Sequence, residues 1–101
     1  MQIQAIAEVG IDDERRVFVR PVEGNFEQIY RAAMEVYWDR VTGRLSHPTR
    51  RNWSPLQWYR QIIAAMADEY GVHLQLTEKT VWSNVPSDLR AEIEADRIVG
   101  G

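Results

Sequence analysis

The residues best suited to binding chemistry lie in a segment without carboxylates. Between Arg40 and Ala67 the chain contains neither Asp nor Glu. Guanidinium groups donate paired hydrogen bonds to carboxylates and phosphates, and indole rings stack on flat ligands. The segment therefore predicts a ligand-binding surface, which would be formed by Arg44, Arg50, Arg51, Trp53 and Trp58.

A purely structural role accounts for the same side chains. Trp53 and Trp58 flank a predicted helix start at the two positions of a hydrophobic staple. The arginines can form ion pairs with the acidic remainder of the chain, whose net charge is −3. That negative charge also argues against nucleic acid as a partner, because the phosphate backbone would be repelled.

Two residues could take part in acid–base catalysis. Histidine side chains can change charge near neutral pH, which makes His47 a candidate, and Asp39 follows Trp38 at the end of a predicted helix. Neither belongs to a recognisable catalytic motif, and surface or turn-capping roles explain both equally well. No grouping of His, Asp or Glu has the spacing of metal ligands. The sequence therefore predicts no metal and no cofactor, and it favours a protein that is not an enzyme.

The chain contains no cysteine, which excludes thiolate chemistry and favours a reducing compartment. Its N-terminus lacks the basic start and apolar run of a signal peptide. No stretch is long and apolar enough for a membrane helix. These features predict a cytoplasmic protein that does not interact with membranes.

Hydrophobic periodicity predicts an α+β fold in a single domain, residues 1–101, with a frayed tail at 98–101. Alternating apolar residues predict four strands, at about 2–9, 16–20, 72–77 and 80–83. The last two would pair across Glu78-Lys79, and Thr42-Gly43 could close a further short hairpin. Strands in adjacent pairs favour an antiparallel sheet.

Three segments have helical patterns. Residues 26–39 repeat apolar side chains at three- and four-residue spacing. Ser54, Pro55 and Gln57 form a capping box for a second helix, which ends at Gly71. A last helix begins near Pro86 or Ser87. We therefore expect a small antiparallel sheet of about four strands, with the first two helices packed on one face.

Aromatic residues exceed what the predicted apolar faces need. The chain has four Trp, and both Trp38 and Trp82 lie off or at the border of those faces. Aromatic side chains left at a surface are typical of interface hot spots. Trp38 and Trp82 are therefore predicted interface residues, and a homodimer is the expected assembly.

Several segments resemble those of small, uncharacterised proteins carried on integron gene cassettes. The resemblance rests on the segments 26–33, 36–39, 52–55, 57–59, 61–63, 68–71 and 81–84, together with Leu89. It implies a soluble orphan domain, often oligomeric, with no established activity and no site residue to carry over.

These observations leave three hypotheses. The first is a non-enzymatic binding or interaction domain that acts as a homo-oligomer. The second is an antitoxin-like or immunity-like partner that masks a basic surface. The third is an enzyme or binder for an anionic small molecule, using the arginine-rich segment.

Overall fold

Strand β1 (Gln2–Ile11) lies inside the sheet, with partner strands on both of its edges. The structure is a computed structural model that describes residues 2–33, 35–47 and 53–100, without the side chains of 97–100. Strand β2 (Val17–Pro21) runs antiparallel along one edge of β1. Strands β5 (Val72–Gln75) and β6 (Val81–Ser83) run parallel along the other edge. The fold is α+β as predicted, but the sheet is mixed and has six strands.

The predicted hairpin across Glu78-Lys79 is wrong. β5 and β6 run in the same direction, because the chain makes a tight turn between them and then continues parallel to β1. Thr77 N–H donates to the hydroxyl of Thr80 at 3.0 Å, and that hydroxyl donates to the carbonyl of Ile6 at 2.7 Å. The buried Thr80 side chain thus bonds to β1 at the point where the edge strand is interrupted.

The β1–β2 hairpin follows the predicted alternation. Val17 and Val19 point into the core, whereas Phe18 lies on the opposite face. The strands are joined by a turn in which Arg15 N–H donates to Asp12 O at 2.9 Å. β1 continues to Ile11, two residues beyond its predicted end.

The predicted helix at 26–39 is also wrong. The structure has a single 3₁₀ turn, Ile29–Arg31, followed by strand β3 (Tyr37–Asp39). Phe26 and Ile29 are buried as the pattern required, but Tyr30 is 55% exposed. Short turns also bring residues three apart to one side, and the consecutive β-branched and aromatic residues from Val36 onward favour a strand.

Strand β3 pairs with β4 (Arg44–Ser46), which in turn pairs with β2. The connecting turn contains the predicted Thr42-Gly43 pair. Gly43 has φ +71° and donates its N–H to Asp39 O at 2.8 Å. This hairpin extends the sheet to an order of β3-β4-β2-β1-β5.

Helix α1 (Pro55–Tyr70) begins and ends as predicted. Gln57 N–H donates to Ser54 Oγ at 3.2 Å, and Ser54 N–H donates to Gln57 Oε1 at 2.8 Å. Gly71 adopts φ +63° and donates its N–H to Ala67 O at 3.0 Å. Strong local signals at both ends therefore fix this element.

Helix α2 (Ser87–Gly100) buries Leu89 and Ile93, as predicted. Both belong to the same core cluster as the buried residues of α1 and the inward side chains of β1 and β2. The two helices therefore cover one face of the sheet. The backbone is helical through the predicted frayed segment as far as Gly100, and Gly101 lies outside the described residues.

The other face of the sheet, called the outer face below, carries paired charges. Glu8 accepts a hydrogen bond from Arg20 Nε at 3.2 Å and another from the Ser83 hydroxyl. Near the turn of the hairpin, Arg16 Nε donates to Asp12 at 2.9 Å. Each carboxylate on this part of the face therefore has a guanidinium partner.

These contacts shift two carboxyl pKa values downward. Burial alone would raise the pKa of Glu8, but the hydrogen bonds from Ser83 and Arg20 outweigh it. Burial also opposes ionisation of Asp12, and bonds from the backbone and side chain of Arg16 lower its pKa nonetheless. Both groups therefore stabilise the fold in their ionised forms.

We expect Thr80→Val to lower the free energy of unfolding by about 1–3 kcal/mol, because Ile6 O and Thr77 N–H would lose their buried partner. Urea denaturation measures this loss. The control is Thr77→Val, whose hydroxyl accepts from Lys79 N–H in an exposed turn where water can replace it. An equal effect of the two substitutions would contradict the bridging role of Thr80.

We also expect stability to fall in acid. A lowered folded-state pKa stabilises the protein above the ordinary carboxyl pKa, and this contribution is lost as the pH falls through the lower pKa of the folded state. Glu8→Gln should remove on the order of 1 kcal/mol of that pH dependence, whereas Glu92→Gln, an exposed carboxyl on α2, should not. Urea midpoints at neutral and acidic pH test this. Identical pH profiles for wild type and Glu8→Gln would contradict it.

Candidate functional site

An open cleft of about 260 Å³ lies where the turn of the β1–β2 hairpin meets the start of α1. The end of β4 forms its third side. Its walls combine aromatic rings with one residue of each charge. The lining residues are Glu14, Arg15, Val17, His47, Trp53, Pro55 and Trp58.

Three rings are in contact along one wall. His47 stacks flat on Trp58, with ring centroids 3.9 Å apart and planes 4° apart. Trp53 contacts Trp58 at 4.7 Å with a tilt of 47°, which is the hydrophobic staple predicted from the sequence. Trp58 and His47 are each 3% exposed, whereas Trp53 is only half-buried. Trp53 is therefore the indole that a ligand in the cleft can reach.

His47 has a structural role that the sequence did not reveal. Its Nε2 accepts a hydrogen bond from Val17 N–H at 3.0 Å, so the ring carries no proton on that nitrogen. The neighbouring Ser46 hydroxyl donates to Val17 O at 3.0 Å. Both backbone groups of Val17 are therefore bonded to side chains at the end of β4. Nε2 could act as a base only after leaving Val17.

The N-terminus of α1 offers few donors to an anion. Ser54 and Gln57 use their N–H groups in the capping box. Pro55 has no N–H, and Trp58 N–H donates to Ser54 O at 3.1 Å. The partial positive charge of the helix end remains, but the N–H groups of Ser54, Gln57 and Trp58 are already bonded within the chain.

Arg44, one of the predicted arginines, does not line this cleft. It lies on the outer face, where its guanidinium carbon is 3.9 Å from the centre of the Phe18 ring. Arg50 and Arg51 lie outside the described residues. Of the described members of the predicted ligand-binding set, the structure brings together Trp53 and Trp58.

Asp39 also lies away from the cleft. Its Oδ1 accepts from Val41 N–H at 2.9 Å, and this bond holds the pKa of the carboxyl below its ordinary value. Asp39 lines a separate hollow of about 90 Å³ on the outer face, together with Arg44. His47 and Asp39 therefore line different cavities, and Asp39 stabilises the β3–β4 turn.

Trp38 and Trp82, the predicted interface residues, are half-buried and pack against the core. Trp38 meets the ring of Phe26 edge-on at 5.2 Å. Trp82 is covered by Arg90, whose guanidinium carbon is 4.9 Å from the ring centre. Intramolecular contacts therefore take up much of both indoles.

A second hollow, of about 270 Å³, lies on the other side of Trp53 along α1. It is lined by Trp53, Gln57, Arg60, Gln61 and Ala64. Arg60 forms an ion pair with Asp96 of α2 at 2.7 Å, so its charge is already matched. Trp53 thus stands between two recesses, which increases the ring surface open to a ligand.

Two residues of the cleft, Glu14 and Arg15, were not predicted from the sequence. Both belong to the hairpin turn, far in sequence from Trp53, and no local pattern connects them with it. The one available signal is the turn position of Arg15, whose φ of +64° is usual for Gly or Asn.

Among the described residues, no helix combines the length and apolar character needed to cross a bilayer. The same part of the chain holds no cluster of three or more His, Asp or Glu side chains arranged to bind a metal ion.

Comparisons with known proteins give a consistent assignment. Residues 4–80 match the family model of the Integron Cassette Protein Hfx_Cass5. A solved structure of that protein, from the mobile metagenome of North West Arm Sewage Outfall, is 45% identical over 97% of this chain and 98% of its own, with a TM-score of 0.48. A comparison with curated proteins finds no match. The chain therefore belongs to the Hfx_Cass5 family of integron cassette proteins, and the resemblance seen in its sequence is confirmed.

Proposed function

We propose that this protein is a non-enzymatic binding domain that takes a small aromatic ligand in the cleft beside Trp53. The observation that carries the proposal is the half-buried indole on an open cavity, backed by a rigid stack of two buried rings. Such a wall loses little freedom on binding, because its rings are already held in place.

The contacts of the two catalytic candidates favour binding over catalysis. His47 uses Nε2 to hold the backbone of Val17. Asp39 uses its carboxylate to hold the β3–β4 turn. The two groups could act together as acid and base only within reach of one substrate, and they line separate cavities.

We further propose that the domain forms a homodimer through the outer face of the sheet. Three aliphatic side chains on or beside this face are more than half exposed: Ile3, Val22 and Val81. The charges beside them are paired within the chain, so two copies can approach without net repulsion. Trp38 and Trp82, by contrast, pack against the core. The antitoxin-like alternative stays a prediction.

The cleft is tested by following the indole N–H signals in two-dimensional NMR while adding benzamide, benzoate or phenyl phosphate. We expect at least one probe to shift the Trp53 signal. Trp53→Leu keeps an apolar staple and removes the ring, so it should weaken binding roughly tenfold. Tyr30→Ala, which removes an exposed ring near the far end of α1, is the matched control. Failure of every probe to shift the Trp53 signal would refute the proposal.

The dimer is tested by sedimentation of the wild type and of an Ile3→Lys, Val81→Lys double variant. We expect a wild-type dimer and a monomeric variant, because four lysines would face one another across the two-fold interface. Val41→Lys is the control, since Val41 is 88% exposed at the tip of the β3–β4 turn. A monomeric wild type at micromolar concentration, or a dimeric double variant, would contradict this interface.

A further inference from the structure

Arg15 occupies a backbone conformation that its residue type disfavours. The turn is closed by Arg15 N–H donating to Asp12 O and by Asp12 N–H donating to Arg16 O, at 2.9 and 3.0 Å. This geometry requires a left-handed residue at position 15, and Arg15 has φ +64°. A side chain with a Cβ is strained there, whereas glycine is not.

The rest of the described chain follows the usual preference. Among the described residues, the others with positive φ are Asn84, at +59°, and the glycines Gly24, Gly43 and Gly71. Within this part of the chain, an arginine takes the place of Gly or Asn only at the turn that lines the cleft. A local rule broken next to a cavity points to a role for the side chain itself.

The charge of Arg15 is also uncommitted. Its neighbours pair with one another, since Arg16 bonds to Asp12 at 2.9 Å and to Glu14 at 3.5 Å. Arg15 is exposed and has no ion-pair partner within residues 2–33, 35–47 and 53–96. Among the described residues that line the cleft, it is therefore the cation whose charge is free to meet a ligand.

We infer that Arg15 recognises an anionic group on the ligand of the Trp53 cleft. The ligand is then a small, flat aromatic ring bearing a carboxylate or a phosphate. The ring would lie against Trp53, and the anion would accept hydrogen bonds from the guanidinium. A volume of about 260 Å³ suits one small ring system and not an extended polymer.

Glu14 is the feature of the cleft that opposes an anion. Its carboxylate is mostly exposed and lies 3.5 Å from Arg16, which partly neutralises it. Water screens the remaining charge. Arg15 forms no such ion pair among the described residues, so its guanidinium group can donate to a negative ligand. The inference rests on the proposed function, because it names the ligand class of the same cleft.

The test compares benzoate, phenyl phosphate and neutral benzamide as NMR probes of the Trp53 indole, with wild type and Arg15→Gly. We expect the two anions to bind the wild type more tightly than benzamide. Arg15→Gly should weaken anion binding roughly tenfold, leave benzamide unchanged, and raise the urea midpoint because it relieves the strained position. Whichever anion binds more tightly identifies the ligand's acidic group.

Two control variants separate charge from backbone. Arg15→Lys keeps the cation and should retain much of the affinity for the anions. Asn84→Gly changes the other non-glycine left-handed residue, away from the cleft, and should leave binding unchanged.

The outcomes also separate the two proposals. Equal binding of benzoate and benzamide would overturn the inference and leave the aromatic cleft intact as a binding site. Unchanged anion binding in Arg15→Gly, or a lower urea midpoint for that variant, would overturn it too. No binding of any probe would refute the proposed function and the inference together.

Discussion

Strand β1 needs hydrogen-bond partners on both edges over ten residues, and the way the chain meets this need determines the rest of the structure. On one edge a simple hairpin supplies β2. On the other edge, the short strands β5 and β6 each pair with part of β1, and the pairing is interrupted opposite Ile6. The hydroxyl of Thr80 closes that gap by donating to Ile6 O and accepting from Thr77 N–H. A buried strand with an unpaired carbonyl at its centre would be costly, so this bridge holds the parallel edge in register.

The parallel edge also places the helices. A chain that leaves β4 and must enter β5 parallel to β1 has to cross the length of the sheet, and α1 makes that crossing. Helix α2 follows β6 and packs beside α1 on the same face. The outer face is consequently left to charged and aliphatic side chains and to Phe18, which lies under Arg44. The start of α1 is brought beside the β1–β2 turn, where Val17 is tied to Ser46 and His47. The cleft is a product of this meeting of distant segments.

The features that were predictable from the sequence are those set by interactions between residues close together in the chain. Capping residues placed α1 correctly, and alternation placed β1, β2 and the inward faces of Val17 and Val19. The parallel direction of β6 depends on Thr80 meeting Ile6, which lies 74 residues away. The apolar periodicity of residues 26–39 predicted a helix wrongly, because turns of three residues also place apolar side chains on one side. In the same way, the contact of Trp53 with Trp58 was predictable as a hydrophobic staple. The position of Arg15 beside the Trp53 cleft and the position of Arg44 on the outer face depend on the tertiary fold and were not predictable.

The side chains of the cleft differ in how much they contribute to the stability of the fold. Trp58 and His47 are buried and bonded, so their rings give the wall its shape and rigidity. Trp53 completes the staple with only part of its surface, and the remainder faces an open recess. Arg15 contributes least to stability, since the turn would be less strained with glycine in its place. The left-handed conformation of Arg15, at a position that glycine would fill with less strain, supports the proposed contact between its side chain and a ligand in the recess beside Trp53.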